Sequence, residues 1–470
     1  MSADNEPREG APDGAPAIDE LEAMQKELKV LKQKVKQLTA ENEALHARLR
    51  DSENGHEAAK NKAQPPAPPL VENQPPAHGS PTDEDVEELA PPSAGYKILF
   101  AVLGLLAVAA AGCSIYFNSL DGEMVFDDPS AIGANIDVVN PRRDFDTDYF
   151  KGLLNHDFWG GEFGPASHRS FRPITVLTYR WNWLTDGLNV RGFHVANVLL
   201  HGTVCGLFFG VCVIWLGFTA NALFAALLFA VHPVHCDAVS SIVGRAEVLC
   251  AVFFLLSLLS FHVVAASGCG IVSKSLAFIL SVFMAICSAL SKETGLTVLA
   301  VCVVYDIVVG LGHVSSVTGP LLTKVKSLRA RLARAVALVG FALVVGIVRV
   351  QHTGTPTLFI EADNAAAFHP SRTTRLLSFS HLYSFNWRLL VFPKTLCHDW
   401  NGDAIPLVHS WADPRLVWPL LMYACFLQIA ISALVGTTRT LNQKNSQAAL
   451  IGMALLGIPF IPSTGMFFIE

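Results

Sequence analysis

Apolar residues along the chain are grouped in runs of about twenty, the length that an α-helix needs to cross a bilayer core. Polar loops separate the runs. This pattern is typical of an all-α, polytopic membrane helical bundle, and we expect about nine or ten spans. The runs lie at about 97–117, 193–217, 220–232, 246–266, 275–290, 295–312, 333–350, 413–436 and 448–468, and a shorter run at about 382–396 is predicted to be a re-entrant or horizontal helix.

A different pattern occupies the first part of the chain. Residues 1–17 are rich in Pro, Gly, Asp and Glu and are predicted to be disordered. From 18 to 50, apolar residues alternate at spacings of three and four, which predicts a parallel coiled coil and a homodimer; Asn42 on its seam favours two strands. A single amphipathic helix on the membrane surface is the alternative, although the mixed charges fit it less well. Residues 51–95 are rich in Pro and are predicted to be a disordered linker.

Composition and charge agree with a membrane protein. Hydrophobic residues make up 51% of the chain and charged residues 16%, and the net charge of -6 is spread out, so we expect no nucleic-acid partner. The apolar run that starts near 96 is too far from the N-terminus for a cleaved signal peptide and should remain as an anchor. The transmembrane module is therefore predicted to cover 96–470.

Basic residues in short loops predict the orientation of the spans. The densest basic cluster lies in the loop 313–333, and a second lies in 437–447, so both loops are placed in the cytoplasm. Counting spans back from the first of these loops places the N-terminal tail in the cytoplasm too. The first long loop, 118–192, is then lumenal, together with the polar segments 232–247 and 351–412.

Two adjacent carboxylates, Asp127 and Asp128, follow the first apolar run directly. By itself, an Asp-Asp-Pro sequence is typical of a solvated turn. At the mouth of a membrane bundle, however, an ionisable pair is a candidate functional site. The lumenal placement of the other polar motifs favours the site.

Arginines in the first loop are candidates for phosphate binding. Arg172 and Arg180 flank a stretch in which Ile174, Leu177 and Trp181 recur at helical spacing, which predicts an amphipathic helix along the membrane surface. A guanidinium matches phosphate oxygens in a bidentate fork. On spacing alone, snorkelling of these arginines to lipid head groups is equally consistent.

Polar residues inside or at the ends of later runs form further motifs. His194, Asn197 and His201 share one helix face, either to line a site or to bond neighbouring helices. His232, His235 and Asp237 are metal ligands by type, but the Pro between the two histidines and the missing second-shell pattern favour a substrate-orienting role for the histidines, and metal dependence stays open. The sequences Gly244-Arg245-Ala246-Glu247 and Ser291-Lys292-Glu293 place charges at helix ends. The motifs of P-loop nucleotide hydrolases, serine hydrolases and zincins are absent from the sequence.

Eight short motifs occur in a fixed order between about 120 and 468. Together they resemble the TMTC family, the transmembrane and TPR repeat-containing protein O-mannosyltransferases. The motifs are Phe126-Asp127-Asp128, His156-Asp157-Phe158-Trp159-Gly160, Ser167-His168-Arg169-Ser170-Phe171-Arg172-Pro173, Phe193-His194 with Asn197 and His201, Leu228-Phe229-Ala230-Val231-His232-Pro233-Val234-His235, Gly244-Arg245-Ala246-Glu247, Ser291-Lys292-Glu293 and Cys397-His398-Asp399-Trp400.

The resemblance implies a glycosyltransferase of the GT-C type in the endoplasmic reticulum membrane. Such an enzyme moves mannose from dolichyl-phosphate mannose to Ser or Thr hydroxyls of secretory-pathway proteins. Asp127 and Asp128 match the acidic pair of the first lumenal loop, and one of them is expected to act as the general base. The expected contacts to the donor phosphate or substrate are His168, Arg169, Arg172, His194, Asn197, His201, His232, His235, Arg245, Glu247, Lys292 and Glu293.

Two features depart from the family pattern. No repeat with a period of about 34 residues, the length of a tetratricopeptide repeat, is present, so we expect either a fragment or a different recognition of acceptors. The N-terminal coiled coil is not a family feature. Two other functions stay open at this point: a transferase that uses another lipid-phosphate sugar, and a non-catalytic membrane scaffold.

Overall fold

A computed structural model describes residues 93–141, 145–165, 167–266, 268–316, 321–354, 361, 364–398, 400, 404–437 and 443–464. The predicted coiled coil at 18–50 and nearly all of the predicted linker lie outside these residues. The described chain is helical and contains no β-strand; an isolated bridge joins His156 to Glu162. The all-α fold class is therefore confirmed for the described part.

Fourteen α-helices are numbered in chain order over the described residues. The first seven are α1 Ala94–Ser114, α2 Thr147–Asn155, α3 Pro173–Asp186, α4 Val190–Leu216, α5 Ala220–Ala230, α6 Cys236–Ser240 and α7 Arg245–Ala265. The others are α8 Ile271–Ser291, α9 Val298–Ser316, α10 Leu321–Thr353, α11 Ala365–Phe368, α12 Arg372–Val391, α13 Val417–Thr437 and α14 Gln443–Gly457.

Seven helical segments in the described residues are long and apolar enough to cross a membrane, or eight if one bent pair counts as a span. The sequence predicted nine or ten. The runs at 220–232 and 448–468 and the shorter run at 382–396 are not among the seven spanning segments, which accounts for the difference. The seven segments are Ala94–Ser119, Val190–Leu216, Arg245–Ala265, Ile271–Ser291, Glu293–Gly310, Ser327–Thr353 and Pro414–Gly436.

The run at 220–232 is not a straight span. Helix α5 ends at Ala230, and the chain bends by 41° into Pro233–Ser240. Pro233 causes the break, because proline has no backbone N–H and its ring clashes with the preceding turn. The bend places His232 and His235 at the junction of two short helices rather than inside a span.

The shorter run at 382–396 also differs from the prediction. Helix α12 begins at Arg372, where the Ser371 hydroxyl accepts a hydrogen bond from the backbone N–H of Thr374. It ends at Val391, one residue before Phe392, since the Pro393 that follows disfavours a helical conformation in the residue before it. The helix therefore starts earlier and is more polar than the apolar run suggested.

A tight turn between α8 and α9 positions an adjacent pair of opposite charges, Lys292 and Glu293. Helix α8 ends at Ser291, and a short 3₁₀ turn, Glu293–Thr297, leads directly into α9. A Cβ atom on Gly295 would lie 2.3 Å from the carbonyl carbon of Ser288, so only glycine allows this close approach. The turn fixes Lys292 and Glu293 at the end of the bundle.

Charged residues cluster at opposite ends of α10. Near its C-terminal end, Arg349 contacts Glu293 at the α8–α9 turn. Near the other end, Arg331 and Arg334 contact the buried Asp306 of α9. Because α9 runs antiparallel to α8 and α10, the first cluster lies at one end of the bundle and the second at the other.

Candidate functional site

The two adjacent aspartates have different environments. The Asp128 carboxylate is fully buried and accepts hydrogen bonds from the backbone N–H groups of Val125 (3.2 Å), Val243 (2.9 Å) and Ile242 (3.4 Å). Asp127 is exposed. Asp128 thus joins the first loop to the segment before α7, whereas the Asp127 carboxylate is open to an incoming molecule.

Phe126, just before the pair, holds the loop against a distant segment. Its backbone has a φ of 49°, a conformation that L-residues rarely adopt, and its ring stacks on His398 with centroids 4.0 Å apart. The Nδ1 atom of His398 lies 2.8 Å from a carboxylate oxygen of Asp237 in α6. Three chain segments therefore meet beside Asp127.

His398 was quoted as a motif residue and Asp237 was considered as a metal ligand by type, but neither was predicted as a site residue. Their contact spans 161 positions of the chain. No local spacing in one sequence signals such a pairing, so it emerges only from the folded structure.

Arg172, Glu293 and Arg349 form a charged cluster at the same end of the bundle. The Glu293 carboxylate accepts from Arg172 at 3.1 Å and from Arg349 at 2.7 Å. Arg349 also donates to the carbonyl oxygens of Phe171 (3.1 Å) and Ala289 (3.3 Å). Two guanidinium groups on one carboxylate leave an excess of one positive charge.

Arg349 is the main residue that sequence reasoning missed. It lies at the end of the predicted apolar run 333–350, where it was counted as part of a span. The available signal was an ionisable residue within a membrane segment, which usually faces the bundle interior and marks a substrate path.

An apolar cleft of about 340 Å³ opens beside this cluster. Aliphatic side chains from α8, from the turn that follows it and from α10 form most of its wall, together with Leu154 and Phe171. Glu293, Arg349 and His352 lie at its polar end. His352 is held there by the Leu154 carbonyl oxygen, 2.7 Å from its Nε2 atom. A ligand with an apolar chain and an anionic head fits this combination of surfaces.

Lys292 lies in the turn between two spans and forms an ion pair with Glu247. Burial, with a smaller contribution from the charge of Arg172, lowers the pKa of Lys292 to about 8, although Glu293 and Asp237 oppose the shift. The ammonium group is therefore charged at neutral pH and loses its proton in mildly alkaline solution. It lies within electrostatic range of both the arginine cluster and Asp237.

Arg245 is only 1% exposed and donates to four protein acceptors. Its Nε bonds to the Asn197 side chain at 2.7 Å, and its terminal nitrogens bond to Asn182, Thr178 and the Phe193 carbonyl. Burial leaves this guanidinium without an open face for a donor phosphate. The expectation that Arg245 holds the phosphate is therefore not supported by its contacts, which instead brace the segment bonded to Asp128.

Arg180 also differs from the expectation based on the sequence. Helix α3 forms as predicted, but the Arg180 side chain is fully buried and donates to the carbonyl oxygens of Val138 and Asn140, both at 2.9 Å. Trp181 is 67% exposed. The expectation that Arg180 faces a phosphate or lipid head groups is wrong.

The predicted residues of α4 and the α5–α6 junction mostly tie helices together. His201 lies 3.2 Å from the Ala230 carbonyl oxygen, and Asn197 donates to the Ser241 carbonyl at 2.9 Å. His232 lies 2.9 Å from the Leu390 carbonyl, and the His235 ring packs on Phe229. These contacts favour the helix-bonding interpretation for His201 and Asn197 that the sequence left open.

Three further predicted residues have local contacts. His194 is buried beside Gly122, His168 is exposed and packs near Trp159, and Arg169 has a φ of 58°. The Arg169 guanidinium lies close to Gly354. Among the described residues, no group of three or more His, Cys, Asp or Glu side chains comes together as a metal site.

The known proteins to which this chain is similar are TMTC proteins. Residues 352–427 match the family described as "Protein O-mannosyl-transferase TMTC, DUF1736". The chain is 34% identical over 415 residues to protein O-mannosyl-transferase TMTC4 of Homo sapiens, an alignment that covers 82% of this chain and 54% of the relative. Over 82% of its length the chain is therefore similar to a protein of the TMTC family. No solved structure matches it.

Other TMTC relatives agree. The chain is 36% identical over 385 residues to TMTC3 of Mus musculus, covering 79% of this chain and 40% of the relative. It is 37% identical over 338 residues to tmtc2 of Xenopus laevis, covering 71% and 39%. The chain thus spans about half, or less, of the length of these curated TMTC proteins. The matched TMTC domain includes His352, at the cleft, and His398, beside Asp127.

Proposed function

We propose that this chain transfers mannose from dolichyl-phosphate mannose to Ser or Thr hydroxyls of secretory-pathway proteins. The observation that carries the proposal is the arginine cluster, Arg172, Glu293 and Arg349, at the polar end of an apolar cleft. An open carboxylate, Asp127, lies at the same end of the bundle. The names of the TMTC relatives, protein O-mannosyl-transferases, agree with this combination.

The cleft and the arginine cluster suit the two parts of a lipid-linked donor. The isoprenoid chain would lie against the apolar wall, which is open to the membrane along α8 and α10. The phosphate would contact Arg172 and Arg349, whose charges exceed that of Glu293, with Lys292 nearby. Guanidinium groups bind phosphate oxygens in bidentate geometry and strengthen that contact when the site excludes water.

The chemical step needs a base and a stabilised leaving group. Asp127 would accept the proton of the acceptor hydroxyl as its oxygen attacks C1 of mannose. The bond between C1 and the phosphate oxygen breaks, and dolichyl phosphate leaves with the bonding electron pair. Arg172, Arg349 and Lys292 would stabilise the added negative charge on the phosphate. Asp128 and Arg245 would act as positioning residues through the segment that joins them.

We also propose a membrane, an orientation and an oligomeric state for the chain. The positive-inside rule supports an N-terminus in the cytoplasm and an active site on the lumenal side of the endoplasmic reticulum membrane. The heptad pattern at 18–50 supports a homodimer through a coiled coil. The long first loop, 118–192, would then lie in the lumen with the secretory acceptors.

The arginine cluster recognises a phosphate and not a sugar, so a donor with another sugar is the second candidate. Purified protein would be incubated with an acceptor peptide and either dolichyl-phosphate mannose or dolichyl-phosphate glucose. We expect transfer from the mannose donor only. Transfer from the glucose donor alone would replace the assigned sugar, and consumption of neither donor would support a non-catalytic scaffold.

A further inference from the structure

A second cleft lies at the end of the bundle opposite the candidate active site. It measures about 440 Å³ and is formed by the first turns of α8, the end of α7 and the early part of α10. Its apolar wall includes Ile271, Phe278, Ile279 and Ala337. Two cationic side chains, Lys274 and Arg334, also line it, and none of the lining residues that the structure describes is acidic.

The charge balance beside this cleft is positive. Asp306 is 2% exposed. Its carboxylate forms ion pairs with the guanidinium groups of Arg331 (2.6 Å) and Arg334 (2.8 Å). Two arginines on one buried carboxylate leave one positive charge in excess. In the part of the chain that the structure describes, no carboxylate pairs with Lys274, which therefore adds a second positive charge at the cleft.

The position of the two cations along their helices corresponds to a membrane interface. At a rise of roughly 1.5 Å per residue, Lys274 lies about 25 Å from Ser291 along α8, and Arg334 about 22 Å from Arg349 along α10. A hydrocarbon core is about 30 Å thick. If the active-site end lies at one interface, the backbones of Lys274 and Arg334 lie about 5–8 Å short of the other, a distance that their long side chains span by extending toward the head groups.

We propose that this cleft binds an anionic phospholipid, with its phosphate head group at Lys274 and Arg334. An acyl chain would follow the groove between α8 and α10, along Phe278 and the 63% exposed Ile279. A zwitterionic head group fits less well, because its own cation would face a site with an excess of positive charge. Basic pockets between helices are a recognised way in which membrane proteins bind anionic head groups.

This site differs from the proposed donor site in place and ligand. The donor cleft lies at the Glu293 end of α10, and the lipid cleft lies at the Asp306 end. The positive-inside rule places the Asp306 end in the cytoplasm, and the cytoplasmic leaflet is the one that carries most anionic lipid. The inference does not require the chain to transfer mannose.

Native mass spectrometry of the purified full chain tests the proposal. The protein would be titrated with phosphatidylserine and, in parallel, with phosphatidylcholine of the same acyl composition. The test variant is Lys274→Gln. The matched control is Lys97→Gln, since Lys97 lies in the first turn of α1, at the same end of the bundle but outside the cleft.

We expect wild type and Lys97→Gln to retain one phosphatidylserine with the same affinity, and to bind phosphatidylcholine more weakly. Lys274→Gln should bind phosphatidylserine about five-fold more weakly, the contribution of one basic residue near an anionic lipid. Equal binding by Lys274→Gln and wild type would overturn the proposal. So would an equal loss in both variants, which would indicate general attraction to the surface.

A soluble competitor distinguishes a lipid from a free anion. Glycerophosphoserine carries the same head group without acyl chains. It should fail to displace bound phosphatidylserine at equal concentration, because the apolar wall contributes to binding. Displacement at equal concentration would show a simple anion site and overturn the assignment to a lipid.

Discussion

The carboxylate of Asp128 accepts a 2.9 Å hydrogen bond from the backbone N–H of Val243, 115 residues further along the chain. Through this bond the first loop is attached to the start of α7, where Arg245 is itself held by four acceptors. Asp127, one residue earlier, stays exposed. Under the proposed mechanism, Asp128 stabilises the loop and Asp127 takes part in the chemistry.

Replacing Asp128 should destabilise the protein. In Asp128→Asn the amide NH₂ would face backbone N–H donors, so at least one buried donor loses its partner, at a cost of about 1–3 kcal/mol. The apparent melting temperature in detergent should fall, while that of Asp127→Asn should match wild type. A melting temperature for Asp128→Asn equal to that of wild type would show that these hydrogen bonds do not hold the loop.

Replacing Arg349 should weaken binding of the lipid-linked donor. Arg349→Gln removes one of the two cations on Glu293, and a charge-assisted hydrogen bond contributes about 1.5–3 kcal/mol, so the KM for the donor should rise about ten-fold or more. The control is Arg388→Gln, because Arg388 packs on Phe385 and Trp418, outside the cluster. Similar KM values for both variants would place the phosphate elsewhere.

Donor binding should depend on the charge of Lys292. Burial lowers the pKa of Lys292 from 10.5 to about 8, so the ammonium is charged at pH 7 and neutral at pH 9. Binding of the donor should weaken as pH rises through about 8, since its phosphodiester has no proton to lose in this range. In Lys292→Arg the guanidinium stays charged, and the loss of affinity near pH 8 should disappear. An unchanged pH profile in Lys292→Arg would assign the dependence to another group.

The stack between Phe126 and His398 should position Asp127. Either Phe126→Leu or His398→Gln removes it, so each should lower kcat with little effect on the KM for the donor. Because both act through one contact, the double variant should be only slightly slower than the single variants. A fully additive loss would mean that the two residues act independently of each other.

Much of the fold could be predicted from the sequence because the bilayer imposes a strong pattern. Long apolar runs predicted most of the spanning helices. Polar residues between the runs predicted Asp127, Arg172, Lys292 and Glu293 as site residues, and the structure places Arg172 and Glu293 in contact. The break at Pro233 shortened one predicted span, and the polar start of α12 lies outside the apolar run that suggested it. Periodicity does not show where a helix bends or which polar residues meet.

The contacts that complete the site could not be predicted. Arg349 contacts Glu293 from a helix whose sequence is that of an ordinary membrane span. Asp237 pairs with His398, which is 161 positions away in the chain. Arg245 and Arg180 were good phosphate ligands by residue type, but each is buried against main-chain and side-chain acceptors. Residue chemistry suggests a role, whereas burial and partners decide between binding a ligand and bracing the fold.

Mannosyl transfer by Asp127→Asn tests the central claim most directly. Purified wild type, Asp127→Asn and Asp127→Glu would be given labelled dolichyl-phosphate mannose and an acceptor peptide, with the melting temperature as the folding control. Asp127→Asn should keep the wild-type melting temperature and lose about 10²–10⁴-fold in kcat, the contribution of a positioned general base, and Asp127→Glu should retain part of the activity. A folded Asp127→Asn protein that transfers mannose at the wild-type rate would contradict the assignment of Asp127 as the base.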